Sequence, residues 1–470
     1  MSTSNSSPFD LAIIGGGASG TILLLHLLNQ IRHPFRVVVL QKGHAAAKGV
    51  AYSTTDPRHL LNVRAGRMSA YADQPDHFVE WLRTQTEYPE ALGPDKEKEA
   101  FVPRYLYGRY LEETLRLALH HKPTAFEVTW ISEFAVSVHP QQPYTIHTDA
   151  QRILQAEHIC IATGIEAPAG LPGINHLPAD ERIHINPWLE KLPEINNEKD
   201  ILVIGTGLTM VDHVISLLNA DFKGRIIALS KHGHLPMAHP AIKPTVKPDP
   251  TLRLPGDLST LFNVIKKRIQ EHPDPQGCEE PVLEDIRPYS QDLWFNFSKE
   301  EKHRFLRHLQ HHWAKLRHRI PHPIYLQLKE ACAQGKLILH GGKATDILLN
   351  EHEIQVSIQT RKHETFHYQV QRIFNCVGPV LSIEKSGNPF IRSLAENGMI
   401  RNSASGLGPD ANMEGQVIQP DGTINENIFV LGPLMRGVVW EAVAVPEIRN
   451  GANIISKKLL QNPRQQIEVA

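Results

Sequence analysis

Residues 9–20 read Phe-Asp-Leu-Ala-Ile-Ile-Gly-Gly-Gly-Ala-Ser-Gly, an apolar run that breaks directly into a glycine cluster. A helical pattern follows from Ala18 to Gln30, and the β-branched run Phe35–Leu40 has the length of a strand. A strand, a glycine turn, a helix and a second strand within about 30 residues predict a βαβ unit.

This glycine cluster has the spacing G-x-G-x-x-G, which is typical of a dinucleotide-binding turn. We predict that Gly15 permits the tight turn, that Gly17 leaves room for a pyrophosphate and that Gly20 lets the helix approach the strand. The first helical turn, with Ala18 and Ser19, would offer its free N–H groups to the phosphates.

The second strand is followed by Gln41, where such units usually carry Asp or Glu to bind the ribose hydroxyls. Glutamine offers one neutral carbonyl acceptor, so the lost charge-assisted hydrogen bond would cost about 1–2 kcal/mol. We expect Gln41 and the adjacent Lys42 at the cofactor, with a plain surface strand end as the alternative for Gln41.

A second glycine-led unit begins at Gly205, between a strand over 200–204 and a helix that runs to about Asn219. Its glycine turn contains Gly205, Gly207, Leu208 and Thr209. Met210 replaces the third glycine, so we expect this helix to sit slightly further from its sheet.

After the second strand of this unit come Ser230 and Lys231, and no acidic residue. A hydroxyl and a cation suit a 2′-phosphate, which favours NADPH over NADH as the second dinucleotide. The alternative for Lys231 is a solvated surface lysine.

Composition bounds the class of protein. A chain of 470 residues with 41% apolar residues can form two or three domains, or one α/β core with an insertion. The 49 Lys and Arg balance the 50 Asp and Glu, which argues against binding nucleic acid or an anionic membrane through bulk charge.

The cysteine spacing and the first residues of the chain indicate the cellular compartment of the protein. The four cysteines, Cys160, Cys278, Cys332 and Cys376, form no C-x-x-C motif, which excludes a zinc ribbon and a local redox disulfide. No apolar run approaches the ~18 residues of a membrane span, and the polar start MSTSNSS lacks the basic segment of a signal peptide. We therefore expect a cytoplasmic protein.

Further elements are expected along the chain. Helices are expected at 76–84, 104–120, within 257–335, and at 445–460. Strands are expected at 126–131, 134–138, 144–147, 158–161, 336–340, 345–349, 353–359, 366–377 and 427–431. Ser298 to Glu301 fit a capping box at the start of a helix over 298–319. A long loop with short helices is expected at 42–75, and irregular structure is expected at 166–173 and 235–256.

The pattern predicts an α/β fold with two Rossmann-like dinucleotide-binding units, a β-meander over 125–161 and a helical insertion. We expect the first domain at 1–170 plus 340–470 and the second unit at 171–235. The insertion at 236–335 would cap a substrate cleft.

The two glycine-led units resemble those of flavoproteins with two dinucleotide-binding domains. The chain more closely resembles the bacterial FAD/NAD(P)-binding family related to flavin-dependent amino-acid N-monooxygenases, such as the enzyme that forms nitrosuccinate from aspartate. The matching motifs are Gly49-Val-Ala-Tyr-Ser53, His59-Leu-Leu-Asn-Val63, Met68-Ser-Ala70, Pro103-Arg-Tyr-Leu-Tyr-Gly108, Ala162-Thr163-Gly164, Gly205 to Thr209, Trp313 with Arg317 to Pro321, Val377-Gly378-Pro379, Leu431-Gly432-Pro433, Trp440-Glu441 and Ala444 to Arg449.

The resemblance implies FAD in the first unit and NADPH, or NADH, in the second. It implies a monooxygenase of the N-hydroxylation type that consumes molecular oxygen and acts on a small polar or anionic substrate. The alternatives are an NADPH-dependent reductase that passes electrons to another acceptor, and a non-catalytic FAD-binding protein. A homo-oligomer is compatible with the sequence.

The resemblance also implies particular site residues. It implies that the chain passes close to the cofactors at Ala162, Thr163, Gly164 and Gly378. It implies flavin contacts at Gly432, Gly437 and Trp440, with the helix after Gly432 pointing its N-terminus at the flavin, and it places a loop with Tyr52, His59 and Asn62 over the flavin. From the residues alone, Trp440 could equally be core, and each loop residue could be structural.

Candidates for substrate binding follow from side-chain chemistry. Asn62 is chosen as a polar flavin or substrate contact, and Arg104, Arg317 and Arg436 are chosen because a guanidinium can bind a carboxylate through two hydrogen bonds. His308 and His312 lie four residues apart, but no carboxylate or cysteine completes a metal-binding set nearby, so we predict no metal site.

Overall fold

Two mixed sheets, each built around one of the glycine-led units, organise the chain. The structure, a computed structural model, describes residues 7–43, 47–85, 96–166, 170–171, 180–187, 195–239, 257–271 and 286–461. The strands are β1 Phe9–Ile14, β2 Phe35–Leu40, β3 Phe126–Ile131, β4 Ala135–His139, β5 Tyr144–Thr148, β6 Ile153–Ile161, β7 Ile183–His184, β8 Ile201–Ile204, β9 Ile226–Ser230, β10 Leu337–Leu349, β11 Ile354–Thr360, β12 Thr365–Val370, β13 Arg372–Asn375, β14 Gln416–Ile418 and β15 Ile424–Val430. The helices are α1 Ala18–Gln30, α2 Gly49–Tyr52, α3 His77–Arg83, α4 Arg104–His120, α5 Leu208–Asn219, α6 Leu258–Glu271, α7 Ser290–Asn296, α8 Lys299–Arg304, α9 Gln310–Arg317, α10 His322–Ala333, α11 Pro389–Glu396 and α12 Val445–Leu460.

The first sheet has the strand order β14-β15-β6-β1-β2-β3, and the β4–β5 hairpin continues from β6. The pairs from β15 to β3 are all parallel. Successive residues of β1 enter opposite cores: Leu11 and Ile13 pack towards α1, α4 and α12, whereas Ala12 and Ile14 pack towards the hairpin and α11. Burial on both faces explains the continuous apolar runs that identified these strands.

The second sheet has the order β12-β11-β10-β9-β8-β13-β7. Strands β7, β13, β8, β9 and β10 are parallel, and β11 and β12 extend the edge as an antiparallel hairpin. Ile201 and Val203 of β8 face α5 and α10, and Leu202 and Ile204 face the core under the hairpin. The predicted fold class, with two Rossmann-like units, is confirmed.

The two units repeat one local geometry. Gly15 has φ +107° and Gly205 has φ +105°, a backbone conformation that side chains disfavour. A Cβ on Gly15 would lie 2.4 Å from the carbonyl oxygen of Ala162, and a Cβ on Gly205 would lie 2.3 Å from that of Cys376. Each glycine turn therefore passes directly over the end of a neighbouring strand, which only glycine allows.

The expected position of residues 340–375 differs from the structure. We expected this stretch to return to the first domain, but it supplies most of β10 together with β11, β12 and β13 to the second sheet. Leu337 of β10 pairs with Ile226 of β9. Apolar β-branched runs specify a strand, but they do not specify which sheet it joins.

Two smaller differences concern strands. The stretch 126–131 forms β3, which pairs in parallel with β2 instead of opening the meander. The two strands expected between 336 and 349 form one long strand, β10, with an irregularity between Ala344 and Asp346.

The insertion is helical where it is described. The expected capping box is present: Glu301 N donates to Ser298 Oγ at 3.2 Å, and Ser298 N donates to Glu301 Oε2 at 2.8 Å. The helix expected at 298–319 is divided into α8, a π-helical turn over Phe305–Leu309, and α9. Most of the expected irregular stretches 166–173 and 235–256 lie outside the described residues. None of the described helices has both the length and the apolar character needed to cross a membrane.

Candidate functional site

The first glycine loop lies where the carboxyl ends of β1, β2, β6 and β15 meet. Gly16 N donates a 2.8 Å hydrogen bond to Oε1 of Gln41, at the end of β2. Ala162, after β6, contacts Gly15, and a Cβ on Gly432, after β15, would lie 2.4 Å from Ser19 Oγ. The structure thus brings together residues that are far apart in the sequence, at the edge of a parallel sheet where ligands usually bind.

The phosphate-facing surface of this loop consists of backbone. Gly17 is the N-cap of α1, no side chain caps the helix, and its first turn contains no acidic residue. Gly49 has φ +61° and packs on Gly17, with its Cα 3.2 Å from the position of a Gly17 Cβ. A Cβ on Gly20 would lie 2.0 Å from Gly15 O, which explains the third glycine. An uncapped helix N-terminus between two glycines fits the pyrophosphate of FAD.

The segments that follow β6 and β15 are those that the resemblance places beside the cofactor. Gly164 has φ +77° and open space around the position of its Cβ. Gly432 begins a 3₁₀ turn, Gly432–Gly437, and the next α-helix starts only at Val445. The element expected to point its N-terminus at the flavin is therefore this short turn and not an α-helix.

Lys42 and Tyr52, expected at the cofactor, both have protein partners. Lys42 forms an ion pair with Asp149. The Tyr52 ring packs edge-on against Tyr107 with a centroid distance of 4.6 Å, and burial raises the pKa of Tyr52 to about 12. Tyr52 is therefore neutral at physiological pH and acts first as a packing residue.

The second glycine loop repeats this arrangement. Gly207 is the N-cap of α5, again without a side-chain cap, and no atom of the described residues outside its chain neighbours and its own helix lies within 4 Å of the position of its Cβ. The Thr206 and Ser230 hydroxyls are 2.9 Å apart, which ties the loop to the end of β9. Gly378 follows β13 and lies in this second unit, because the neighbouring Cys376 contacts Gly205. Open space before an uncapped helix fits the pyrophosphate of a nicotinamide dinucleotide.

A buried polar network joins the two units. His59 Nε2 lies 3.1 Å from the backbone oxygen of Asp212 and 2.8 Å from Ser216 Oγ, both on α5. Arg104 Nη2, at the start of α4, lies 3.3 Å from Asp212 Oδ2. Burial raises the pKa of Asp212, and the Arg104 guanidinium opposes that rise. His59 and Arg104, expected at the flavin or the substrate, are instead engaged with the second unit.

Asn62 lies beside this network. It lines a narrow cleft between the units together with Arg104 and Leu208, the first residue of α5. Its backbone oxygen is 3.0 Å from His239 Nε2, and burial lowers the pKa of His239 to about 4. The choice of Asn62 as a flavin or substrate contact stays a prediction.

The other two predicted arginines differ in their partners. Arg317 forms a buried ion pair with Glu441. Arg436 stacks over the Trp440 ring at 4.6 Å from its centroid, and it makes no hydrogen bond or ion pair with the described residues. Burial lowers the pKa of Arg436, and Glu441 partly opposes this effect. Glu441 is thus paired with Arg317, and Arg436, within the turn that begins at Gly432, is left without an ion-pair partner among the described residues.

Trp440 and Gly437 belong to the contact between the insertion and the C-terminal segment. Trp440 packs against Trp294 at 4.4 Å and Phe305 at 5.1 Å between ring centroids. Trp294 Nε1 donates to Gly437 O at 3.1 Å. These contacts are those of a core residue, which was the alternative role for Trp440. The aromatic cluster holds the 432–442 segment against the insertion.

A cavity of about 180 Å³ opens beside Gly432. Its walls are largely apolar and include Val430, Met435 and Ile448. Gln291 of α7 also lines it: Oε1 accepts a 2.9 Å hydrogen bond from Trp440 N, and the buried Nε2 has no hydrogen-bond partner in the described part of the chain. An apolar cavity with a single unsatisfied donor is suited to a small ligand with an acceptor group.

Several of these residues were missed in the sequence. Asp212 could have been suspected, because it is a charged residue inside an otherwise apolar helical stretch. Gly49 and Glu441 belong to the matching motifs but were given no role, and Gln291 carries no signal, since the roles of all three depend on contacts between distant segments. Among the described residues, no group of three or more potential metal ligands is found.

Comparisons with known proteins agree with this geometry. Residues 12–166 match the model of a family described as FAD-NAD(P)-binding. No curated protein matches the sequence. The ornithine N-hydroxylase of Kutzneria sp. 744, solved with reduced FAD, NADP⁺ and L-ornithine, is 13% identical and has a TM-score of 0.66, covering 97% of this chain and 99% of its own.

Two further solved structures have related folds. The cadaverine monooxygenase of Erwinia amylovora, solved with FAD, is 12% identical with a TM-score of 0.66, covering 97% of this chain and 95% of its own. The bacillithiol disulfide reductase of Bacillus cereus is 14% identical with a TM-score of 0.52, covering 96% of this chain and 99% of its own.

The fold and the family match define a flavoprotein architecture with two dinucleotide-binding units. The resemblance expected from the sequence is confirmed at this level. The match over residues 12–166 also confirms the expected cofactor class, FAD with NAD(P).

Proposed function

We propose that this protein is an FAD-dependent, NADPH-consuming monooxygenase of the N-hydroxylation type that acts on a small polar or anionic substrate. The observation that carries the proposal is the pair of uncapped helix N-termini, at Gly17 and Gly207, each behind a glycine turn at the carboxyl edge of its own sheet. A chain needs two such sites when one dinucleotide delivers hydride to another. The likeness to ornithine and cadaverine hydroxylases supports the reaction type.

The chain itself contributes binding and orientation. Bound FAD would supply the redox chemistry, the passage of two electrons from NADPH to molecular oxygen, with one oxygen atom going to the substrate and the other to water. The first glycine loop, Gln41 and Gly432 would hold FAD, and the second loop with Ser230 would hold NADPH. The network of His59, Arg104 and Asp212 would keep the two sites in register.

The substrate preference rests on Arg436. This guanidinium has no hydrogen-bond partner among the described residues, is partly desolvated by Trp440, and sits one short turn beyond Gly432. A carboxylate would supply the missing partner through a charge-assisted pair. Arg317 is a weaker candidate because Glu441 already neutralises it.

The test is substrate-stimulated oxidation of NADPH by the FAD-loaded protein. Small amino acids and amines would be screened for acceleration of NADPH oxidation, formation of an N-hydroxylated product and a fall in hydrogen peroxide release. We expect one amino acid with an extra carboxylate to give all three effects. Arg436→Gln should raise its KM by about tenfold or more, since a charged hydrogen bond is worth about 1.5–3 kcal/mol. Arg392→Gln, at an exposed position of α11, is the matched control.

The competing functions give different outcomes in the same assay. A reductase, which the likeness to the bacillithiol disulfide reductase favours, would oxidise NADPH without product and pass electrons to an added acceptor. A non-catalytic FAD-binding protein would show no bleaching of its flavin by NADPH. Either result would contradict the proposed monooxygenase.

A further inference from the structure

The cavity beside Gly432 is large enough for a ring-sized molecule. Its buried walls include Val430, at the end of β15, and Ile448 of α12. Met413 and Ile454 also line it and are 42% and 41% exposed, so they form its mouth. An apolar cavity of about 150 Å³ can hold benzene. The volume of about 180 Å³ therefore leaves room for one ring with a small substituent.

The cavity is separate from the sites proposed for the cofactors and the substrate. Of the described residues that line it, Gly432 is the only one that the proposed FAD and NADPH sites include, and Arg436 is not among them. No lysine or arginine of the described ranges lines the cavity, whereas Glu414 and Glu447 do. These walls are unsuited to the anionic substrate that Arg436 would bind.

The charges at the cavity favour a neutral ligand. Moving a charge from water into apolar surroundings is costly unless an opposite charge compensates it. An anion would meet two carboxylates. A cation would find both carboxylates already stabilised: Glu414 is 2.8 Å from Lys458 Nζ, and Glu447 lies in the first turn of α12, where the helix dipole favours negative charge.

Gln291 supplies the one group that can select among neutral ligands. Its side chain accepts a 2.9 Å hydrogen bond from Trp440 N, which fixes Oε1 as the accepting atom and leaves the amide nitrogen on the other side. Nε2 is buried and has no hydrogen-bond partner within the described ranges. A buried donor without a partner is costly, and an acceptor on a ligand would remove that cost.

We propose that this cavity is a binding site for a neutral, ring-sized molecule with one hydrogen-bond acceptor, and that Gln291 Nε2 recognises the acceptor. The ring would pack against Val430, Met435 and Ile448, and a carbonyl oxygen or a heteroaromatic nitrogen would face the amide. This site is independent of the proposed function, because its walls and its donor belong to the chain itself and it requires neither dinucleotide.

The charge preference is tested with four probes of similar size: acetophenone, its hydrocarbon analogue α-methylstyrene, the ammonium form of 1-phenylethylamine, and benzoate. Each is titrated into the FAD-loaded protein, with and without saturating NADP⁺, and binding is followed by ligand-observed NMR. We expect both neutral probes to bind, the two charged probes to bind at least about tenfold more weakly than acetophenone, and NADP⁺ to change none of these affinities.

Variants of Gln291 test the hydrogen bond. Gln291→Glu keeps the acceptor for Trp440 N and removes the donor, and Gln291→Met removes both without adding charge. Each should weaken acetophenone by about tenfold and leave α-methylstyrene nearly unchanged, because only acetophenone uses the donor. Gln369→Glu, at an exposed position of β12, is the matched control and should change neither.

A variant that fills the cavity tests its location. Ala442 is 3% exposed and lines the cavity, so Ala442→Leu should weaken both neutral probes by about tenfold or more, whereas Ala220→Leu, at an exposed position after α5, should not. An unchanged Tm and flavin spectrum show that each variant is folded, and the Gln291 variants carry the test if Ala442→Leu is unstable.

Several results would overturn this site. They are no binding of either neutral probe, tighter binding of a charged probe, equal weakening of both neutral probes in the Gln291 variants, and full affinity in a folded Ala442→Leu protein. Displacement of acetophenone by FAD would assign the cavity to the flavin and also overturn it, while leaving the proposed function intact. A protein that binds acetophenone as expected but no FAD would contradict the proposed function alone.

Discussion

At the scale of single residues, the backbone at Gly15 and Gly20 determines the shape of the first glycine loop. The tight turn at Gly15 and the close approach at Gly20 follow from backbone sterics alone, and both are observed. Side-chain partners were less predictable. Arg104 and Arg317 were selected for their chemistry, yet each faces a carboxylate, Asp212 or Glu441, that the sequence places far away.

Gln41 gives a direct test of the first site. Its Oε1 accepts from Gly16 N, so the side chain already lies against the glycine loop. Gln41→Glu would supply a charged acceptor to the ribose hydroxyls, and we expect the Kd for FAD to fall about tenfold. Flavin fluorescence during titration of the apoprotein measures this, with the exposed Gln355→Glu as control. An unchanged Kd would place Gln41 away from the ribose.

The Arg317–Glu441 pair should matter for stability. The side chains are 19% and 9% exposed, so Glu441→Gln leaves a buried guanidinium without its counter-charge. We expect a loss of about 3 kcal/mol in the free energy of unfolding, measured from urea denaturation midpoints. The double variant Arg317→Met with Glu441→Leu should be less destabilised than the single one. If Glu441→Gln is as stable as the unchanged protein, the Arg317–Glu441 ion pair does not stabilise the fold.

At the scale of elements, periodicity predicted most helices and strands well. The expected helices at 104–120 and 445–460 have these bounds in the structure, because each has one apolar face that packs on the first core. Sheet membership was not predictable for β10 to β13. β10 pairs with β9 and β13 pairs with β8 across more than a hundred residues, which local patterns do not encode, and β11 and β12 join the sheet through β10.

The two glycines of the second turn should respond differently to alanine. A Cβ on Gly205 would collide with the backbone of Cys376, so Gly205→Ala should reduce folded yield and lower the Tm. A Cβ on Gly207 meets nothing within 4 Å in the part of the chain that the structure describes, so Gly207→Ala should keep the Tm and weaken NADP⁺ binding. Thermal unfolding and calorimetry distinguish the two. Full NADP⁺ affinity in Gly207→Ala would show that no phosphate lies against this turn.

At the scale of the whole molecule, polar contacts between the units were invisible in the sequence. His59 and Arg104 of the first unit reach Asp212 and Ser216 on α5. The resemblance suggested the flavin as the partner of His59, and Arg104 was chosen because its guanidinium could bind a substrate carboxylate. The structure assigns these two side chains to the junction that sets the distance between the two dinucleotide sites.

Buried histidines predict acid sensitivity of the whole fold. Burial lowers the pKa values of His26, His213, His239 and His318 to about 4, from 6.5 in the unfolded chain. Between pH 6.5 and 4 the unfolded chain therefore binds more protons, and stability falls as pH decreases through this window. Each histidine contributes up to about 1.4 kcal/mol per pH unit. Urea midpoints measured from pH 7.5 to 5 should decrease, and a flat profile would contradict these burials.

The central claim is that one chain holds FAD and a nicotinamide dinucleotide in two repeated sites. The most direct measurement is the visible spectrum of the purified protein, followed by anaerobic titration with NADPH. We expect a yellow protein, as isolated or after addition of FAD, whose flavin absorbance is bleached by NADPH. A colourless protein that stays colourless when offered FAD would contradict it.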